Sequence, residues 1–399
     1  MTRALRISCW AGISVLCAAT ALADFDIPAT NVSKSVLNSG YPKIAGTDGS
    51  PNLLIIWMEY LSSSAQYLFF AKSADSGMTW SSPLQLTFTG QVRFPGRPEF
   101  SCALCVAEPY LHIVYNWRYN DAEDWDIIYL RSEDLGDTWD APRLLTFNRS
   151  KSISADVAVS GEFVHVTYQD SWPGNYEIMY KRITDNGAGP VDQTRRLTFS
   201  STDSAHPRIA VSYSGEDVHI VYEDIYNFVW NVFYKHIYDS GEGAYDTRQL
   251  TFGTEHNLSP DVTTSGAADP QYVYVVYQAI WPGNSEIMYK RLDNFGQVPF
   301  NIYTVRLSYS PVDSSFPAID FDTNENNVHI CYHDAWPGNL DVMYRRLGDF
   351  GGGAFLGRYV TWGEANSLAA TVTSAGVSAF VGWMDDRSGD HDIYVKYGN

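Results

Sequence analysis

Short runs of alternating apolar and polar residues cover the chain, and turn-forming residues separate them. Around residue 220, four such runs span 207–213, 217–222, 229–235 and 248–252, and we label them A to D. They are rich in β-branched and aromatic residues and are bounded by Gly, Pro, Asn or Asp, as strands are. No long stretch has the period of an amphipathic helix. The pattern therefore predicts an all-β protein.

The same four-run unit recurs along the chain. Segments 163–182, 275–291 and 328–346 are close copies, each with a Trp-Pro-Gly-Asn turn between runs B and C. One aromatic residue anchors run B of every copy, namely Trp57, Tyr115, Tyr168, Tyr222, Tyr277, Tyr332 and Trp383. A repeat of roughly 50 residues with short strands is typical of a β-propeller. We therefore predict seven four-stranded blades.

The two ends of the chain complement each other. The last unit has runs A, B and C but no run D, whereas segment 31–37 precedes the first run A. We expect this N-terminal segment to supply the missing strand, because closing the ring removes an unpaired sheet edge. Residues 24–399 are thus predicted to form a single domain.

Composition and charge exclude several function classes. The formal net charge is −19 and 45% of the residues are hydrophobic. Nucleic-acid binding needs a basic surface, so we expect no nucleic-acid partner. Residues 1–23 are typical of a signal peptide, with Arg3 and Arg6, an apolar run, and a small-residue cleavage site ending at Ala23. The apolar run is too short to insert as a membrane span, so we expect a secreted or periplasmic protein.

Three cysteines follow the signal peptide, Cys102, Cys105 and Cys331. An odd number cannot form a complete disulfide framework. Cys102 and Cys105 lie in a strand-like run and are interpreted as two small core residues or a local disulfide. Cys331 is expected to be a buried free thiol.

Two units carry the pattern Ser-x-Asp-x-Gly-x-Thr-Trp between runs C and D. Its members are Ser73, Asp75, Gly77 and Trp80 in unit one, and Ser132, Asp134, Gly136 and Trp139 in unit two. The chain therefore resembles the Asp-box (BNR) repeat proteins of the sialidase superfamily. The resemblance implies a secreted sialidase-like propeller, with six blades as the alternative to seven, in which the Asp boxes hold turns away from the catalytic site.

The resemblance also implies a chemistry for any active site. Sialidases grip the substrate carboxylate with three arginines and use a Tyr nucleophile, a supporting Glu and an Asp acid/base. The early Arg-Ile-Pro segment of that family has no counterpart here, and its nearest analogues begin at Tyr41 and His206. The catalytic residues are therefore left unassigned. Arg182, Arg291 and Arg346 recur at the end of run C and are expected to be solvated.

The loops between runs B and C vary most and carry the ligand-binding candidates. The aromatic and basic candidates are Trp172, Trp281, Trp336, Tyr226, Trp117, Arg118, Tyr119 and Arg387. Aromatic platforms with polar partners suit a hydroxyl-rich ligand, although each Trp could instead pack against a neighbouring blade. The carboxylates at the end of run B are Asp170, Asp224, Asp334 and Asp385. They either cap the B–C turn or form an acidic ring that binds a ligand.

The histidines form two groups. His112, His165, His219 and His329 share one position of run B and are expected to be packing residues, because a catalytic residue does not recur in four repeats. His206, His256, His333 and His391 lie nearer the loops, where a metal or lyase site is a weaker alternative. No metal-ligand spacing occurs, so we expect no metal and no cofactor.

Three functions remain open from the sequence. The first is a secreted propeller that binds a glycan on the rim formed by the B–C and D–A loops. The second is an extracellular carbohydrate-active enzyme, either a sialidase or other glycosidase or a polysaccharide lyase. The third is a structural or protein-interaction propeller.

Overall fold

The computed structural model describes residues 25, 27–47, 49–62, 65–87, 102–118, 125–266, 271–281, 283–293, 302–336, 338–353, 355–376 and 378–398. These residues form seven four-stranded antiparallel sheets. The all-β prediction and the prediction of seven blades are both confirmed. Within the described residues no helix is long and apolar enough to cross a membrane.

Each blade is a meander in which the strands A to D follow one another. Blade 1 has β2 (Asn38–Gly46), β3 (Leu53–Ser62), β4 (Ala65–Ser73) and β5 (Leu84–Gln85). Blade 2 has β6 (Cys102–Ala107), β7 (Tyr110–Arg118), β8 (Trp125–Ser132) and β9 (Arg143–Leu144). Blade 3 has β10 (Ser152–Ser160), β11 (Phe163–Asp170), β12 (Glu177–Ile183) and β13 (Val191–Arg196). Blade 4 has β14 (Ser204–Val211), β15 (Val218–Tyr226), β16 (Val229–Ile237) and β17 (Tyr245–Gln249).

The remaining blades repeat this order, and the last one is completed from the N-terminal side. Blade 5 has β18 (Asn257–Thr264), β19 (Tyr272–Trp281), β20 (Asn284–Asp293) and β21 (Ile302–Arg306). Blade 6 has β22 (Ser314–Asp322), β23 (Asn327–Asp334), β24 (Asp341–Leu347) and β25 (Phe355–Tyr359). Blade 7 has β26 (Ser367–Ala375), β27 (Ser378–Asp385) and β28 (Asp392–Gly398), with β1 (Thr30–Asn31) as its outer strand. Three one-turn helical segments, Asp185–Gly187, Asp239–Gly241 and Gly348–Gly351, lie in C–D turns.

The ring closes as the sequence predicts. β1 pairs antiparallel with β28, with Thr30 opposite Val395. The carboxylate of Asp392 accepts hydrogen bonds from Ser33 Oγ at 2.7 Å and from Asn31 Nδ2 at 2.9 Å. The N-terminal segment thus completes the blade that the C-terminal strands leave open.

The apolar core consists of seven clusters, one between each pair of neighbouring blades. The cluster between blades 7 and 1 includes Phe380 and Trp57, so the core is continuous around the ring. All seven anchor aromatics of strand B are buried, as their repetition predicts. Blades therefore hold each other through apolar contact on both faces of each sheet.

Strand A lies nearest the axis, because strand A of each blade packs against strand A of the next. Strands alternate in direction, so the B–C and D–A loops share one rim and the A–B and C–D loops share the other. The strand boundaries of blade 4 differ from prediction. Strand A begins at Ser204 rather than at 207, since a bulge at His206–Pro207 continues the strand towards the rim. Strand D ends at Gln249, which leaves Phe252 exposed in the D–A loop.

Two expectations about side chains change. Arg182 was expected to be solvated, but its side chain is only 2% exposed and forms ion pairs with Asp192 and with Glu242 of the next blade. The solvated placement is likewise wrong for Arg291 and Arg346, whose side chains are largely buried. These arginines connect strand C to strand D or to an adjacent turn.

The structure distinguishes between the two interpretations of Cys105, a core residue or half of a local disulfide. Cys105 is a free thiol and so is the buried Cys331. Burial raises the pKa of Cys105 to about 12, which keeps it protonated and unreactive. A local disulfide between Cys102 and Cys105 is therefore absent from this structure.

Candidate functional site

Exposed aromatic side chains concentrate on the B–C/D–A rim. On this rim they are Phe147, Trp172, Phe199, Tyr226, Phe228, Phe252, Tyr309, Phe316, Trp336 and Trp362. Towards the A–B/C–D rim the described residues include two exposed aromatics, Tyr213 and Tyr303. Large exposed apolar groups gathered on one face mark an interaction surface. The two rims therefore differ in what they offer a ligand.

In the Trp-Pro-Gly-Asn turns, the Gly and the Asn each have a structural role. In blade 3, Gly174 takes a φ of 114°, which favours glycine, and Asn175 Nδ2 donates to the carbonyl oxygen of Thr202 in the following D–A loop at 2.6 Å. Asn339 makes the equivalent bond to Ala365 in blade 6. The Trp side chains have no such role, because Trp172 is 67% exposed and Trp336 is 46% exposed. Packing against a neighbouring blade does not account for these two residues.

The remaining aromatic and basic candidates differ in where the structure places their side chains. Tyr226 is exposed on the rim, whereas Trp117 packs against the apolar cluster between blades 1 and 2. Arg118 lies over the ring of Trp125 at 5.4 Å. The side chain of Trp281 and all of Tyr119 lie outside the described residues.

Three of the four strand-B carboxylates are committed to their B–C turns. Asp170 accepts from the backbone N–H of Trp172 at 2.7 Å and from Ser152 Oγ at 2.8 Å, and Asp334 and Asp385 make equivalent bonds. All three are buried, which favours the turn-capping interpretation. Asp224 differs from them, since it is half-buried and its hydroxyl donors are Ser200 and Ser204.

Arg387 does not present a free positive charge. Its Nε and Nη2 atoms donate to the two oxygens of Asp385 at 2.7 and 2.6 Å, and its guanidinium stacks on Tyr394. Burial opposes ionisation of Asp385, but hydrogen bonds led by those from Arg387 hold the pKa of that carboxyl below its usual range. This pair lines a cavity of about 780 Å³ between blades 6 and 7, together with Trp362. The cavity opens on the B–C/D–A rim.

The channel mouth on the same rim has a feature that the sequence analysis missed. In six blades, the residue at the bulge of strand A has a φ between 50° and 56°, although none is glycine. They are Tyr41, Ser154, His206, Ser259, Phe316 and Ala369. Because the same bulge recurs in six blades, it belongs to the repeat and shapes the strand-A end at the channel mouth. Four of the six precede a proline, and this repeated dipeptide was the available signal.

His206 is the titratable member of this ring with the most specific contacts. Its Nδ1 lies 2.9 Å from Glu223 Oε2, and the other oxygen of Glu223 accepts from the backbone N–H of Ser259 at 2.6 Å. Gln169 accepts from the backbone N–H of His206 at 2.8 Å. Glu223 is buried, whereas the His206 side chain is 33% exposed. A buried carboxylate that orients a partly exposed imidazole is an arrangement suited to proton transfer.

The other histidines near the rim are placed differently. His333 is buried and its ring contacts Phe316 at 5.2 Å between centroids, and burial lowers its pKa to about 4. His256 Nδ1 accepts from the backbone N–H of Trp230. His391 precedes β28, and its carbonyl accepts from Ser39. Among the described residues no group of three or more His, Cys, Asp or Glu is placed to hold a metal ion.

The four repeated histidines of strand B are packing residues. His112, His165, His219 and His329 are buried, and each Nδ1 lies 2.5–2.8 Å from a tyrosine hydroxyl of strand C. Repetition thus identified a structural role correctly.

The two Ser-x-Asp-x-Gly-x-Thr-Trp segments lie on the opposite rim. Asp75 accepts from the N–H and the hydroxyl of Thr79 at 2.8 and 2.6 Å, and Ser73 Oγ accepts from the N–H of Gly77 at 2.9 Å. Asp134 and Ser132 repeat this network, and Gly136 takes a φ of 84°. Trp80 and Trp139 pack against the apolar clusters of blade 1. The hydrogen bonds from Thr138 hold the pKa of Asp134 at about 2.

Comparison with solved structures places the chain among propellers. A polysaccharide lyase of family PL25, an ulvan lyase solved with -[GlcA(1-4)Rha3S]-, has a TM-score of 0.62 at 10% identity over 92% of this chain and 95% of that one. The GH93 α-L-arabinofuranosidase of Fusarium graminearum, solved with arabinobiose, has a TM-score of 0.55 at 11% identity over 94% and 98%. The intramolecular trans-sialidase of Ruminococcus gnavus has a TM-score of 0.54 at 11% identity over 80% and 96%. At this identity the likeness establishes the shared fold.

No protein-family model matches the chain, and no curated protein matches it significantly.

Proposed function

We propose that the protein binds carbohydrate on its B–C/D–A rim. The observation that carries this proposal is the concentration of exposed aromatics on that rim, among them Trp172 and Trp336. Indole rings stack on the C–H faces of sugars, and nearby Asn, Asp and backbone groups serve the hydroxyls. The structural neighbours solved with arabinobiose or with an ulvan fragment support the same ligand class.

A second candidate function is catalysis on the bound glycan. The specific observation that favours it is the pair of His206 and Glu223 at the strained channel mouth. In this hypothesis Glu223 orients the imidazole, and His206 exchanges a proton with the substrate as a general acid or base. Proton abstraction by His206 fits a lyase, whereas proton donation fits a glycosidase.

The binding test uses affinity electrophoresis in gels that contain a soluble polysaccharide. The panel comprises neutral arabinan, xylan and galactomannan, and anionic polygalacturonate and ulvan. We expect the parent protein to be retarded in at least one gel, and the Trp172→Ala/Trp336→Ala double variant to lose at least about tenfold in affinity. Its melting temperature should not change, because both side chains are exposed. Tyr213→Ala, which removes an exposed aromatic from the opposite rim, is the matched control and should bind as the parent does.

Retention of full affinity by the folded double variant would exclude this rim as the binding surface. For catalysis, product release from the retained polysaccharide is measured by reducing ends and by absorbance of unsaturated products. His206→Ala should abolish turnover while leaving binding in place. Turnover that survives in His206→Ala would assign the chemistry elsewhere.

We also propose that the protein is exported after cleavage near Ala23. This rests on the pattern of residues 1–23, which lie outside the described residues. N-terminal sequencing of the mature protein tests it, and an intact Met1 in the extracytoplasmic fraction would contradict it.

A further inference from the structure

Blade 4 differs at its B–C turn from both of its neighbours, blades 3 and 5. The Trp-Pro-Gly-Asn segment is replaced by a two-residue hairpin, in which Tyr226 pairs with Val229. Asn227 and Phe228 take φ values of 53° and 67°, the type I′ geometry that favours Asn followed by Gly. A phenylalanine with positive φ is strained, and Phe228 is 97% exposed, so no packing contact within the described residues compensates for that strain.

The same substitution changes the carboxylate beneath the turn. In blades 3, 6 and 7, the strand-B Asp accepts the backbone N–H two residues further along the chain. In blade 4 that N–H belongs to Tyr226, which is part of the extended hairpin. Asp224 is consequently half-buried rather than buried, with Ser204 and Ser200 as its hydroxyl donors at 2.8 and 3.3 Å. Burial raises the pKa of this carboxyl. Asp224 is therefore more accessible to an external hydroxyl donor than its buried counterparts are.

A groove of about 740 Å³ lies over Asp224, between blades 3 and 4. Tyr226 and Phe228, from the B–C turn of blade 4, line it together with Phe199, from the D–A loop of blade 3. Phe199 is stacked on one face by Arg196, at 4.5 Å, and is otherwise largely exposed. Three exposed rings thus surround one carboxylate that can accept further hydrogen bonds.

The charges of the groove favour a neutral ligand over an anionic one. Glu177 acts on Asp224 as a second nearby negative charge. Lys235 lines the groove, but its Nζ donates to Thr247 Oγ1 at 2.5 Å and lies 4.4 Å from the ring centroid of Tyr245. Its residue is buried, so its charge is not offered to a ligand. A ligand here needs apolar faces and hydroxyl donors without a negative charge.

We propose that this groove between blades 3 and 4 is a subsite for a neutral sugar unit of a glycan, with Phe199, Tyr226 and Phe228 as stacking surfaces and Asp224 as the hydroxyl acceptor. The subsite rests on the proposed carbohydrate binding and specifies where and which class of sugar is bound. It is separate from the channel mouth and from the cavity beside Arg387. In this proposal the strained, solvent-exposed Phe228 contacts the ligand.

The test uses a variant, Phe228→Gly, that should weaken glycan binding without lowering the stability of the fold. Phe228→Gly replaces the strained residue with the one that type I′ turns favour, so the melting temperature should stay the same or rise. In gels containing neutral arabinan, xylan or galactomannan, this variant should bind about tenfold more weakly than the parent. Phe199→Ala, in the D–A loop of blade 3, should weaken binding similarly. Tyr213→Ala, on the other rim, is the matched control and should match the parent.

Each outcome decides between the two proposals. Full affinity in both Phe228→Gly and Phe199→Ala, with loss in the Trp172→Ala/Trp336→Ala variant, would overturn the subsite and leave the proposed function standing. A loss of binding confined to polygalacturonate would overturn the neutral class of ligand. A parent protein that no polysaccharide retards would overturn both proposals.

Discussion

At the scale of single residues, burial determines which histidines titrate. Burial, with a smaller contribution from the positive charge of Arg182, lowers the pKa of His165 to about 3. His112 behaves in the same way, with a pKa of about 3. Both rings are held neutral against a tyrosine hydroxyl. These histidines therefore act as polar packing groups.

We expect stability to fall as the pH decreases from about 6.5 towards 4. In this range the histidines bind protons in the unfolded chain but stay neutral in the folded protein. Each such histidine lowers the free energy of unfolding by up to ~1.4 kcal/mol per pH unit. Urea unfolding at a series of pH values measures the slope. In His165→Gln the slope should decrease by about one proton, and an unchanged slope would show that His165 is protonated in the folded state.

At the scale of elements, the C–D turns are the joints between blades. In blade 3, Gly187 lies against Tyr129 of blade 2, and a Cβ there would come within 1.8 Å of the tyrosine hydroxyl oxygen. Gly241 is placed in the same way against Tyr180. Blades 3 and 4, which lack the full Ser-x-Asp-x-Gly-x-Thr-Trp pattern, thus have a glycine at this packing position. The glycine serves packing between blades, whereas Asp75 and Asp134 hold the turn itself.

Asp75→Ala should lower the melting temperature by a few degrees and leave glycan binding unchanged. Asp75 bonds the N–H and hydroxyl of Thr79, and its turn lies on the rim opposite the proposed ligand surface. Thermal unfolding and affinity electrophoresis measure the two effects. Asp134→Ala, in the equivalent turn of blade 2, should give the same result. Lost binding at an unchanged melting temperature would instead assign the turn a functional role.

At the scale of the whole molecule, the ring is closed by two kinds of contact. The apolar cluster between blades 7 and 1 joins the two ends of the repeat, and Asp392 bonds the N-terminal segment. A closed ring leaves no exposed edge and fixes all loops of one rim on one face. That arrangement allows weak contacts from several blades to act on one ligand.

Removing residues 24–37 should lower the melting temperature by ~5 °C or more, because the last blade loses its outer strand. Asp392→Ala should act in the same direction, since its buried carboxylate accepts from Ser33 and Asn31. Asp390→Ala, at an exposed carboxylate two residues away, is the control. Differential scanning calorimetry measures all three, and an unchanged transition in the truncated protein would refute closure by this segment.

The sequence by itself determined the blade number, the anchor residues, the closure and the role of the repeated histidines. Each of these follows from periodicity, because a repeated position repeats its environment. It also placed Trp172 and Trp336 on the variable loops. Periodicity could not distinguish Asp224 from Asp170, since the two occupy the same position in their repeats.

Only the tertiary structure decided which members of a repeated set differ from the rest. The pair of His206 and Glu223 and the groove over Asp224 each join residues from different strands or neighbouring blades. The burial of Arg182 depends on Glu242, which lies in the following blade. These properties depend on contacts between strands or between blades. The sequence pattern could not predict them, because it describes each blade separately.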